Sequence, residues 1–375
     1  MIYLDYAANT PVNEDVLQVF CDYNRRFIGN PNSYHKAGYE ANQAMTQITE
    51  QLAKKLNVKT SEIIYTSGAS ESNNTAIKGI ASTYRQKGKH IITTVLEHSS
   101  ISGAFTSLQT QGYEIDLCDL QKDGRIDLDC LKDLLRKDTI MLAISYVDSE
   151  MGILQPIEEI IEILKDYPNC HLHVDATQAI GRIPVRFDGI DTMSFAPHKF
   201  FGINGCGVLV KREGFVIEPL IHGGVSTTMY RSGTPAVAMA ASILEAVDGA
   251  MQRMDDQIVH VSKLNQHLRE KLSAYPLVRF NSTEYSVPHI LNLSVKGVKA
   301  SLMQEALDQK GICVSTKSAC SVKNSPSRAV YAVTKDKKNA MYSFRISMSY
   351  QTTENEIEEF LRCFDECYQE LTKQQ

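Results

Sequence analysis

The chain has 375 residues, 43% hydrophobic and 8% aromatic, with a formal net charge of −5, an ordinary globular composition that buries a large core without staples. Acidic and basic residues are mixed along it without a concentrated basic block, which argues against a nucleic-acid partner. No stretch reaches the roughly 18 consecutive apolar residues of a membrane helix, and the start MIYLDYAANTP lacks the basic and apolar regions of a signal peptide.

Read in chain order, amphipathic helices alternate with short apolar strands. Residues 37–56 (AGYEANQAMTQITEQLAKKL) have helical spacing, and EIIYTSGASESNN follows as strand, turn and helix start. Further strands are expected at HIITTV, TIMLAISYV, CHLHVDA, TMSFA and GCGVLVK, with helical stretches such as 156–166 between them. That alternation predicts an α/β fold with a mostly parallel sheet. A long helical stretch over 234–274 links to a second unit, where HILNLSV and YSFRISMSY are strands, and 352–375 closes the chain as a polar helix. Nine cysteines, an odd number without any CxxC pair, point to free thiols in the reducing cytoplasm. Cys363 and Cys367 are spaced to share a helix face, where small buried residues are the common case and a metal site the rare one.

The residues with chemical promise stand at strand ends. In DTMSFAPHKFFGINGCGVLVKR, an apolar strand runs into His198 and Lys199, and Gly202, Gly205 and Gly207 then let backbone approach closely. A lysine is ordinarily solvated, but an amine enclosed in such a place loses its proton more easily and forms an imine with a carbonyl cofactor. Asp175 ends the strand CHLHVD, 24 positions earlier (199 − 175), where α/β folds place ligands. It reads either as a helix cap or as the anion that keeps a pyridine nitrogen protonated. Gln178 is placed to donate to a phenolic oxygen. Gly68-Ala69-Ser70 opens a helix and offers backbone amides and a hydroxyl to a phosphate, although a plain serine cap has the same sequence. His98 follows another apolar strand, either as a structural histidine or as a ring-stacking proton carrier.

These stretches, with YLDYAANTP, GNPNSYHKAGYEA, LEHSS, EMGILQPIEEI, YRSGTP, SACS and FRISMSY, resemble the class V aminotransferases, and within them the NifS/IscS-like cysteine desulfurases. The resemblance spans nearly the whole chain. It implies the pyridoxal 5′-phosphate (PLP) transferase fold type I: an arm over 1–12 that packs with the small domain, a large domain over 13–255 with a mixed, mostly parallel sheet flanked by helices, and a small α+β domain over 256–375. It implies PLP as cofactor, no metal, and L-cysteine as substrate, converted to L-alanine. It implies Lys199 as the lysine that carries the cofactor and moves protons, and His98 as the histidine over the ring. Asp175 and Gln178 then serve the ring nitrogen and phenolic oxygen, with Ala69, Ser70, His198 and Ser149 also against the cofactor. Thr234 serves the phosphate from the other subunit of a homodimer. Arg345 and Asn32 take the substrate, the guanidinium of Arg345 holding both carboxylate oxygens. Cys320, in a small-residue loop beside Lys317 and Lys323 that favours its thiolate, takes the sulfur as a persulfide for an acceptor protein.

The pattern also departs from the family. Ala196 stands where a serine is usual, Asp148-Ser149-Glu150 where Asn-Asn-Glu is usual, and Ala-Asn-Thr where Ala-Thr-Thr is common. The stretch HGGVSTTMYRSGT lacks an acidic or amide residue, and the Cys320 loop is about one residue shorter. These differences keep two other functions in view: a PLP-dependent aminotransferase or lyase acting on another amino acid, and a non-catalytic partner in sulfur trafficking.

Overall fold

The computed structural model describes residues 1–316 and 325–373. Along the chain, β1 (Ile2–Tyr3) leads to α1 (Glu14–Arg26), α2 (Lys36–Leu56), β2 (Ile63–Thr66), α3 (Ala69–Tyr84), β3 (His90–Thr93), α4 (Ser99–Gln109) and β4 (Glu114–Leu117). Next come α5 (Leu128–Leu134), β5 (Thr139–Ser145), α6 (Ile157–Leu164), β6 (His171–Asp175), β7 (Thr192–Phe195) and β8 (Gly207–Lys211). The 36-residue α7 (Val237–Leu272) then reaches β9 (Val278–Phe280), β10 (Ile290–Val295), α8 (Ala300–Gln309) and β11 (Ile312–Cys313). After the undescribed residues, α9 (Arg328–Thr334), α10 (Lys337–Tyr342), β12 (Ser343–Ser347) and α11 (Glu354–Lys373) complete it.

The main sheet has the order β2-β8-β7-β6-β5-β3-β4. Strands β4, β3, β5, β6 and β7 run parallel, and β8 is antiparallel to both of its neighbours. Strand β5 reads TIMLAIS and is buried at every position, as a central strand covered on both faces must be. The parallel arrangement brings the carboxyl ends of β2, β3, β5, β6 and β7 to one edge, and with them Gly68, His98, Ser149, Asp175 and Lys199. Mixed but mostly parallel, flanked by helices, this is the expected α/β architecture.

A second core collects Leu264 and Leu268 from α7, Leu291 and Leu293 from β10, Phe344 and Ile346 from β12, and Phe360 and Phe364 from α11. Its sheet, β12-β10-β9, is antiparallel. The closing helix is less polar than its composition reads. Ile357, Phe360, Leu361, Phe364 and Tyr368 form a buried stripe at helical spacing, and Cys363 and Cys367 lie in the same apolar cluster. The N-terminal arm crosses between the two cores. Strand β1 pairs with β11, Leu4 is buried in the second core and Ala7 in the first.

Candidate active site

A cavity of about 420 Å³ opens at the shared carboxyl edge, closed on one side by the arm and on another by β12. Ala69, Ser70, His98, Ser149, Asp175, Gln178, His198, Lys199 and Arg345 all line it. Asn32 and Thr234 do not. Asn32 is exposed in the loop before α2, its backbone N–H on the Asn30 side chain, and Thr234 is exposed just before α7. The Thr234 loop is nonetheless tied to the cavity rim, because Arg231 Nε donates to Glu71 Oε1 at 3.0 Å. Cys320 falls within 317–324, outside the described residues.

Lys199 follows β7 on a short turn, and its Nζ donates to the carbonyls of Ala7 (3.0 Å) and Ala8 (2.6 Å) in the arm. Burial, then the charges of Arg345 and Arg182, push its amine down to about 8, against the pull of Asp5 and Asp175. His98 caps α4 by accepting the Ser100 N–H at 3.2 Å, and burial holds it below the usual histidine range. Burial, reinforced by Lys199 and Arg182, takes His198 down to about 4. Both imidazoles are therefore neutral at pH 7 when the cavity holds no anion.

Asp175 accepts from Asn73 Nδ2 at 2.8 Å and from the Thr177 N–H at 3.0 Å. Asn73 is the residue that sequence reasoning passed over. Its Nδ2 also reaches Ser100 Oγ at 2.9 Å, and its Oδ1 accepts from Ser194 Oγ and from His173 Nε2, the latter at 3.1 Å. Because an amide oxygen only accepts, His173 carries its proton on Nε2 and takes the Thr192 hydroxyl on Nδ1. A fixed chain of donors therefore runs through the sheet to orient the Asp175 carboxylate. Glu97 lies nearby, buried, with the hydroxyls of Ser145 (2.7 Å) and Thr94 (2.8 Å) donating to it. Burial lifts its carboxyl to about 8, so it does not compete with Asp175 as an anion.

Arg345 sits on β12 with its side chain 3% exposed. Nη2 donates to Asp5 Oδ1 and Nη1 to the Ser149 carbonyl, both at 2.6 Å. Ser149 thus contributes through its backbone here, which makes the loss of an asparagine amide at 149 compatible with the clamp. The preceding Asp148 explains why that turn is stiff: its carboxylate takes the N–H groups of Glu150, Met151 and Gly152.

Polar atoms on four cavity residues are buried without a hydrogen-bond partner among the described residues: Thr177 Oγ1, Gln178 Oε1, His198 Nδ1 and Arg345 Nε. Helix α3 begins at Ala69, and its N-cap Gly68 offers no side-chain cap, leaving its first amides to an anion. Unpartnered groups of this kind are rare in folded proteins, and here they converge on one space. They fit PLP: an anionic phosphate for the helix start, Ser70 and His198, a ring nitrogen for Asp175, and a phenolic oxygen for the second Nε2 hydrogen of Gln178. The first of those hydrogens is held by the Ala7 carbonyl at 2.9 Å.

The chain matches the family described as Aminotransferase class-V over residues 2–360. It is 36% identical to a NifS/IcsS protein homolog of Lactobacillus delbrueckii subsp. bulgaricus, covering 100% of this chain and 98% of the relative. It is 37% identical to the cysteine desulfurase IscS of Dictyoglomus turgidum, over 95% and 91% of the two chains. A solved structure described as a NifS-like protein superposes with a TM-score of 0.91 at 33% identity, over 97% of this chain and 98% of that one. The chain belongs to the class-V aminotransferase family, in its NifS/IscS-like cysteine desulfurase branch.

Proposed function

We propose that this protein is a PLP-dependent cysteine desulfurase that converts L-cysteine to L-alanine and passes the sulfur on through Cys320. The observation that carries the reading is the convergence of Lys199, Asp175 and Arg345 on one cavity whose wall holds unpartnered polar atoms. Bound there, PLP supplies a carbonyl for the substrate amine and a ring that draws electron density from the α-carbon. The protein's own residues do the rest. Arg345 takes the substrate carboxylate on the edge that carries its free Nε. The Lys199 amine removes the α-proton and returns protons to carbon, a task suited to a base near pH 8. Asp175, fixed by Asn73, keeps a proton on the ring nitrogen, and His98 covers the ring in its neutral form. The Cys320 thiolate attacks the substrate sulfur: an S–S bond forms, the C–S bond breaks, and its electron pair goes to carbon, where protonation gives alanine. The persulfide then serves a sulfur-acceptor protein. We place Thr234 against the phosphate of a second copy in a homodimer, and the enzyme in the cytoplasm. Among the described residues no helix is long and apolar enough to cross a membrane.

The test compares the PLP-loaded wild type with Cys320→Ser in L-cysteine and a reducing thiol, measuring alanine and sulfide. The wild type is expected to form both in equal amounts, and Cys320→Ser neither. Undiminished alanine from Cys320→Ser contradicts sulfur transfer through that thiol.

Gly207 offers a check on the phosphate end. A Cβ there meets the carbonyl carbon and Cα of Gly68 at 2.6 and 2.7 Å, both backbone atoms that can move only by shifting the start of α3. Gly207→Val is expected to weaken PLP affinity by roughly 5- to 150-fold, since overpacking of this kind costs about 1–3 kcal/mol. Absorbance titration with PLP reads the effect, and wild-type affinity in the variant contradicts the placement of the phosphate at α3.

A further inference from the structure

Arg182 is a buried cation without an assigned task. It follows Gly181, whose φ of +75° and close approach to Phe200 (2.8 Å from a Cβ to its Cγ) leave no room for a side chain. The turn thereby sets the guanidinium beneath the lysine turn. Nε and Nη2 donate to the Lys199 carbonyl at 3.0 and 2.5 Å, and Nη2 also to the Tyr6 carbonyl at 2.6 Å. The residue is 3% exposed, and no carboxylate pairs with it among the described residues. A buried guanidinium held only by neutral carbonyls is costly to keep, and a neutral amide or thioether would fill the same space.

We propose that Arg182 is a positioning residue for Lys199: its planar fork fixes the lysine's backbone against the arm, and its permanent charge disfavours the ammonium form of the amine. The inference rests on the reading of Lys199 as the working amine. Two arm carbonyls, those of Ala7 and Ala8, hold the amine itself, while Arg182 holds the peptide behind it and the next arm carbonyl, that of Tyr6. One side chain thus ties the arm and the lysine into a single unit. The other charged and titratable groups around the amine are Arg345 on β12, Asp5 on the arm, Asp175 on β6, and His98 and His198 at the cavity wall. Both histidines are neutral, so two guanidinium cations oppose two carboxylates. Arg345 is compensated directly by its 2.6 Å bond to Asp5. Arg182 has no such partner among the described residues, and its charge adds to that of Arg345 in opposing the ammonium form of the lysine. A lysine freed of its proton at neutral pH is the form that attacks a carbonyl and accepts a proton from carbon.

The test uses the full-length chain stripped of cofactor. Acetylation of Lys199 by acetic anhydride is followed between pH 6 and 10 by peptide mass spectrometry, in wild type, Arg182→Gln and Arg182→Lys. Loss of the charge in Arg182→Gln is expected to move the labelling midpoint up by about one pH unit. Arg182→Lys keeps the charge but loses the fork, so its midpoint stays within roughly 0.3 of wild type while PLP, once loaded, exchanges several-fold faster. A midpoint for Arg182→Gln equal to wild type, in a variant with an unchanged melting temperature, overturns the charge role. If Arg182→Gln does not fold, Arg182→Lys decides: wild-type PLP exchange in that variant overturns the positioning role. The labelling needs neither cofactor nor cysteine turnover, so it is read independently of whether the protein proves to be a desulfurase.

Discussion

Replacing Lys199 with alanine is expected to lower kcat for alanine formation from L-cysteine by at least about 10⁴-fold, because one side chain serves as both cofactor attachment and proton carrier. Its amine lies at the meeting point of the arm, β6 and β12, and among the described residues no other lysine lines the cavity. The fold should be little affected. Among the described residues Nζ makes two hydrogen bonds, both to arm carbonyls, and each is worth about 0.5–1.5 kcal/mol. PLP should still enter, held by the start of α3, Asp175 and Gln178, but should leave on gel filtration. Steady-state alanine production and the cofactor absorbance retained after desalting check both parts. Activity above a hundredth of wild type contradicts the role given to Lys199.

Arg345→Met is expected to reduce kcat/KM by roughly 30- to 4000-fold, the range for removing one member of a buried, hydrogen-bonded charge pair, about 2–5 kcal/mol. The loss should appear chiefly in KM, since Arg345 binds the carboxylate and moves no proton. The same change strands Asp5, whose side chain is 20% exposed, so the protein should also lose stability. Its cost falls toward the lower end of the 3–5 kcal/mol seen when buried pairs are broken, because water reaches Asp5. Adding Asp5→Asn removes the stranded charge. The double variant should recover much of the melting temperature while KM stays high. Recovery of KM together with stability would show that Arg345 acts through the fold and not on the substrate.

The residues that were legible in the sequence are those whose position follows from local pattern. Asp175 and Lys199 each end an apolar run, and because β6 and β7 are neighbours in register (Asp175 opposite Ser194), the two arrive side by side at one edge. The central strand β5 was legible for the same reason: TIMLAIS is apolar at five of its seven positions and buried at all of them. What the pattern does not carry is contact across long separations. Asn73 orients Asp175 from 102 positions away, and Asp5 meets Arg345 across 340; each looks like an ordinary polar residue in its own segment. Arg182 is hidden likewise, since its partners Tyr6 and Lys199 are brought to it by the arm. Among the elements, α1 buries only Val16 and shows too narrow an apolar stripe to stand out. Strand β4 is a four-residue, partly exposed edge, and β1 and β11 are two-residue strands that exist only because they pair with each other. The closing helix read as polar because its charges outnumber its apolar residues, yet the spacing of Ile357, Phe360, Leu361 and Phe364 is what anchors it.

The most direct test of the central claim is the point at which the cofactor attaches. The purified full-length protein is incubated with PLP, reduced with borohydride, digested and mapped by mass spectrometry. A phosphopyridoxyl group on Lys199, lost in Lys199→Ala and accompanied by L-cysteine-dependent alanine formation before reduction, is the predicted result. A group on some other lysine, or none with the protein folded and PLP in excess, contradicts the assignment of this cavity as the catalytic site.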